Sequence, residues 1–91
     1  MRESTIQAAS VREARKLGWR GFKFVSPGYR GVPDYIFIKG PPLQIVFVEF
    51  KAPGKLPTLI QLVVHRMLRK MGARVEVIDS VEQARLVFAA S

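Results

Sequence analysis

Ninety-one residues suffice for one hydrophobic core and are too few for two, so residues 1–91 are read as a single domain. An apolar fraction of 48% and an aromatic fraction of 10% exclude an intrinsically disordered chain. Fifteen Lys and Arg against seven Asp and Glu give a formal charge of +8, and the lack of cysteine excludes disulfides, thiolate metal sites and a cysteine nucleophile.

In chain order, Glu3 to Leu17 reads as a helix with Glu3, Ile6, Ser10, Ala14 and Leu17 on its inward stripe, and Gly18 stops it. Arg20 to Val25 alternates as a strand. Ser26 to Pro33 holds two prolines and two glycines and is a loop. Asp34 to Ile38 is a second strand, Gly40-Pro41-Pro42 turns the chain, and Ile45 to Lys51 is a third. Both strands carry β-branched and aromatic residues on both faces, so the sheet is expected to be covered on both sides. Pro57 opens a helix running to Met71 with Gly72 as its cap, Arg74 to Ile78 is a fourth strand, and Asp79 or Ser80 caps a last helix through Phe88. The expected fold is a single-domain α/β sandwich, α-β-β-β-α-β-α, around a mixed central sheet.

The charge excess points to a polyanionic partner, nucleic acid before a membrane surface. No apolar run approaches the roughly 20 residues that span a bilayer, and the N-terminus has no apolar stretch of the signal-peptide kind. The absence of cysteine fits the cytoplasm.

Two of the seven acids stand in unusual settings. Asp34 opens an apolar strand, and Glu49 ends Ile45-Val46-Phe47-Val48, where a charge is costly unless something compensates it. If the two strands form a hairpin about the Gly40-Pro41-Pro42 turn, Ile38 faces Ile45, Ile36 faces Phe47 and Asp34 faces Glu49. Directly opposed carboxylates repel until a cation lies between them, and hard divalent ions choose oxygen ligands. Lys51, two residues beyond Glu49, shares its face and can balance the pair or stabilise charge on a phosphate.

Pro33-Asp34 followed by Glu49-Phe50-Lys51 resembles the PD-(D/E)XK nuclease motif of restriction-endonuclease-like folds. More specifically, Gly31-Val32-Pro33-Asp34, Val48-Glu49-Phe50-Lys51, Gly54-Lys55-Leu56 and Gln61 resemble the virus-type replication-repair nuclease (VRR-NUC) family, and the similarity covers nearly the whole chain. The resemblance implies a DNA endonuclease using Mg²⁺ or Mn²⁺. Asp34, Glu49 and the Phe50 backbone carbonyl are its implied metal ligands, Lys51 its catalytic lysine, and Glu3 the helix acid that completes the site. Gln61 is implied to act on a metal-bound water or the scissile phosphate. His65, one turn later, stands where some relatives carry tyrosine, and is read as one member of a helix-surface pair.

Lys23, Arg30 and Lys55 flank the proposed centre and are candidate phosphate contacts, which position DNA without reading its bases. By analogy with stand-alone members of the family, branched DNA such as four-way junctions is the expected substrate and a homodimer the expected assembly, in a bacterial or phage-infected cell. Alternatives on the same fold are a flap-, nick- or end-directed nuclease and a non-catalytic DNA-binding module.

Overall fold

The computed structural model describes residues 1–90. Its elements are α1 (Glu3–Lys16), β1 (Arg20–Lys23), β2 (Tyr35–Lys39), β3 (Gln44–Phe50), α2 (Leu59–Lys70), β4 (Arg74–Ile78) and α3 (Val81–Ala89). This is the expected order, and the sheet is mixed as expected. It runs β1-β2-β3-β4, antiparallel through the first three strands and parallel between β3 and β4.

The β2–β3 hairpin has the register read from the sequence, with Ile38 opposite Ile45 and Ile36 opposite Phe47. Alternation then divides β3 between two layers. Val46, Val48 and Phe50 enter the main core with Phe37 of β2, Ile78 of β4, Ile6 and Ala14 of α1, and Ala84, Val87 and Phe88 of α3. Phe47 and Glu49 point to the opposite face, where α2 buries Val64 and His65. Close aromatic packing at the main core sets a demand on β1. A Cβ on Gly21 would lie 2.6 Å from the Phe37 ring, so a side chain there has no room.

Three expectations need correction. Leu17 follows the end of α1 and is 40% exposed; the buried stripe is Ile6, Ser10 and Ala14, and Trp19 fills the core beyond it. The Trp19 indole N–H donates to the Phe88 carbonyl at 3.0 Å, which ties that ring to the end of α3. Coverage of the second sheet face is partial, because one 12-residue helix cannot span four strands: Phe22 and Ile45 remain exposed. Finally, Pro57 precedes α2 rather than opening it. Thr58 is the N-cap, and its hydroxyl accepts from the Gln61 N–H while the Gln61 side chain returns to the Thr58 N–H. Such reciprocal capping satisfies two amides that the first helical turn otherwise leaves unpaired.

Candidate active site

Asp34 and Lys51 each lie one residue outside a strand, and both are held by main-chain contacts. The Asp34 carbonyl accepts from the Phe24 N–H at 2.8 Å, and its Oδ2 accepts from the Phe50 N–H at 2.8 Å. The Lys51 N–H donates to the Ile78 carbonyl at 2.9 Å. The loop that delivers Asp34 rests on α2 at Gly31, whose φ is +88° and whose Cβ would stand 2.8 Å from the Ile60 carbonyl oxygen. Only glycine combines that dihedral with so close an approach. From Tyr35 opposite Val48, one further step along the hairpin brings Asp34 level with Glu49.

Glu49 is 2% exposed. Its Oε2 accepts from Gln61 Nε2 at 3.2 Å and lies 3.8 Å from Lys51 Nζ. Its Oε1 is buried without a hydrogen bond, 3.7 Å from His65 Nε2. Burial pushes the carboxyl up to about 8. The charge of Asp34 and a side-chain hydrogen bond with it add to the shift, as does Glu3, while Lys51 opposes it. Near neutral pH, then, the Asp34–Glu49 pair retains a proton. A cation between the two carboxylates relieves the same repulsion that the proton relieves.

Gln61 is oriented by logic as well as by distance. Its Oε1 accepts from the Thr58 backbone N–H at 2.9 Å, a group that can only donate. The amide nitrogen is thereby turned toward Glu49. Thus the residue that completes the capping box of α2 also holds the buried carboxylate, a double duty that the Thr58-Leu59-Ile60-Gln61 capping pattern makes partly legible.

His65 is not a surface residue. It is fully buried, and neither ring nitrogen has a hydrogen-bond partner. Its pKa is lowered by burial first and then by Arg69 and Lys51, against the opposing charge of Asp34, so the ring is neutral at pH 7. Helical periodicity placed it one turn beyond Gln61; nothing in the sequence marked its depth. Glu3 departs from expectation in the other sense. It is exposed in the first turn of α1 rather than turned inward, and the buried stripe of that helix begins at Ile6. Its negative charge nonetheless acts on Glu49.

Among the described residues, no three His, Cys, Asp or Glu side chains converge into a ligand set. The convergent donors are the carboxylates of Asp34 and Glu49, both oxygen, beside an ammonium. An orphaned buried Oε1 and a shared proton are what a hard divalent cation would replace, so the donor set fits Mg²⁺ or Mn²⁺.

No family model matches the chain. Over 87 residues it is 45% identical to "Putative nuclease p44" of Acyrthosiphon pisum secondary endosymbiont phage 1, an alignment covering 96% of this chain and 92% of that protein. A solved structure described as a "VRR_NUC domain" superposes with a TM-score of 0.87 at 31% identity, across 97% of this chain and 95% of that one. The chain belongs to the VRR-NUC family.

In this VRR-NUC domain Lys23, Arg30 and Lys55 are all exposed, as phosphate contacts must be. Lys55 lies in the loop after Lys51, which is tethered where the Gly54 N–H donates to Asp79 Oδ2 at 3.2 Å. Asp79 was read from the sequence only as a possible helix cap. Lys16 and Arg85 both pair with Glu13 of α1. Among the described residues no helix is long and apolar enough to cross a membrane.

Proposed function

We propose that this VRR-NUC domain is a metal-dependent DNA endonuclease whose centre is Asp34, Glu49 and Lys51. The observation that supports the reading best is the opposition of two carboxylates at the open end of the β2–β3 hairpin, one of them buried with an unpaired oxygen, beside a lysine. A protein that only bound DNA would gain nothing from carboxylates facing a phosphate backbone.

The ligands in this reading are Asp34, Glu49 and the Phe50 carbonyl. When bound, a divalent ion supplies charge neutralisation at a phosphoryl oxygen and acidifies the attacking water. Asp34 is kept in place by the Phe50 N–H, and Glu49 by Gln61. Lys51, largely buried at 14% side-chain exposure, directs a fixed positive charge to where the transition state gathers negative charge. Gln61 is a positioning residue, since both ends of its amide are engaged by Thr58 and Glu49. Glu3 contributes negative charge at the mouth of the site.

Branched DNA, with four-way junctions foremost, is the proposed substrate, and the cytoplasm of a bacterial or phage-infected cell the proposed setting. A symmetric dimer places two such centres on two strands. Exposed Leu59, Leu62 and Val63 along one side of α2 support an interface between copies. The test is incubation of the protein with plasmid, linear duplex, flap and four-way junction, in Mg²⁺, in Mn²⁺ and in chelator. Cleavage that needs the metal and is lost in Asp34→Asn and Lys51→Ala is the expected result. Tight binding without cutting refutes the enzyme, and light scattering that finds a monomer at working concentration removes the dimer.

A further inference from the structure

We propose that His65 is a positioning residue for Glu49, its Nε2–H donating to Oε1 and setting the plane in which the carboxylate meets a divalent ion. The inference rests on the reading of Glu49 as a metal ligand.

Three groups within one buried space lack hydrogen-bond partners: Glu49 Oε1, His65 Nδ1 and His65 Nε2. Two of them face one another. The Nε2–Oε1 separation of 3.7 Å exceeds the roughly 3.2 Å limit of an N–H···O bond, so a closing of about half an ångström joins them. A neutral imidazole carries one donor and one acceptor nitrogen. With the proton of the acid pair directed between Glu49 and Asp34, Oε1 remains an acceptor, and only the Nε2–H tautomer serves it. The other tautomer aims a lone pair at it and buries an unpaired N–H besides.

The rest of the pocket leaves this task to His65. Gln61 and Lys51 both address Oε2, and Gln61 is already locked by the Thr58 N–H. Glutamate rotates broadly about its terminal torsion, so two partners on one oxygen restrain the carboxylate plane weakly. A donor on Oε1 removes that freedom. His65 follows Gln61 by one turn of α2, so the two side chains leave the same helix face and grip opposite oxygens of one carboxylate.

Because His65 is the sole histidine, its ring nitrogens are read without ambiguity by long-range ¹⁵N–¹H correlation. The expected spectrum of the metal-free protein is that of the Nε2–H tautomer; an Nδ1–H tautomer overturns the proposal. Calorimetric titration with Mg²⁺ supplies a second readout. His65→Leu fills the space without a donor and is expected to weaken binding by about 10–100-fold, the usual cost of losing a partner behind a ligand. His65→Gln keeps an N–H at similar reach and is expected to recover most of the affinity. If the leucine variant, folded by circular dichroism, binds Mg²⁺ as the wild type does, the positioning role is refuted. Should the wild type bind no Mg²⁺ at all, the metal assignment fails, while the tautomer still decides the contact between His65 and Glu49.

Discussion

In the absence of a divalent cation, raising the pH should destabilise this protein in a way that one side chain controls. Glu49 has a folded-state pKa of about 8, against an ordinary value of 4.5. Above the ordinary value the unfolded chain has already released its proton while the folded chain has not. Stability supplied by that proton is complete at low pH and drains away as pH rises toward 8. His65 acts with the opposite sign. Its depressed pKa makes the folded state refuse a proton that the unfolded chain accepts, so its effect is felt below about pH 6.5. The clean window therefore runs from about pH 6.5 to 8. One proton gives a limiting slope of about 1.4 kcal/mol per pH unit, and the slope halves on reaching the folded pKa. Across the window the loss is about 1–2 kcal/mol, or about 4–16 °C in Tm for a domain of this size. Thermal melts in chelator, recorded for the wild type and for Glu49→Gln, test it. The wild type should lose this stability, while the variant should show only the small opposite change that His65 leaves near pH 6.5. Millimolar Mg²⁺ should restore the wild type most at the alkaline end, where the vacated carboxylates bind it best. A flat wild-type profile, or an equal decline in Glu49→Gln, would show that burial does not hold a proton on this residue.

Lys51→Ala should extend the alkaline decline in stability to higher pH, because Lys51 opposes the raised pKa of Glu49, and should lower the cleavage rate by about a hundredfold or more; thermal melts and single-turnover kinetics at saturating DNA measure the two effects. Gly31→Ala forces a side chain against the Ile60 carbonyl at positive φ. It should destabilise the domain by about 1–3 kcal/mol by denaturant titration, and it should weaken cleavage because the same loop carries Asp34. Thr58→Ala removes the hydroxyl that accepts from Gln61 and should cost about 1 kcal/mol, while Thr58→Ser should cost little. DNA affinity should fall steeply with added salt and vary little with sequence, as the proposed phosphate contacts of Lys23, Arg30 and Lys55 would require; a titration series at several salt concentrations decides this.

Much of the fold was legible because its signals are local. A single tight turn between two strands of nearly equal length leaves one register that buries both apolar sets, so Ile38–Ile45 and Ile36–Phe47 followed from spacing alone. Depth was not legible. His65 carries no apolar mark, yet it is fully buried on the face of α2 that meets Glu49. Glu3 shares a helical stripe with Ile6, but burial along that stripe begins only at Ile6, so periodicity gave the correct side of the helix and the wrong environment. The start of α2 turned on a contest between two signals. Proline at the first helical position is common, but Thr58 with Gln61 three residues later offers two hydrogen bonds that Pro57 cannot make.

The reciprocal cap has a dynamic consequence. Helix ends are the segments most prone to transient fraying, and in most domains such opening is local and harmless. Here the amide that keeps the opening turn of α2 wound is also the one that grips Glu49. Unwinding those few residues releases the buried carboxylate in the same event. On the proposed reading, a cation seated at the far end of that linkage would stiffen the helix terminus, so ordering of the backbone and readiness for hydrolysis would rise together.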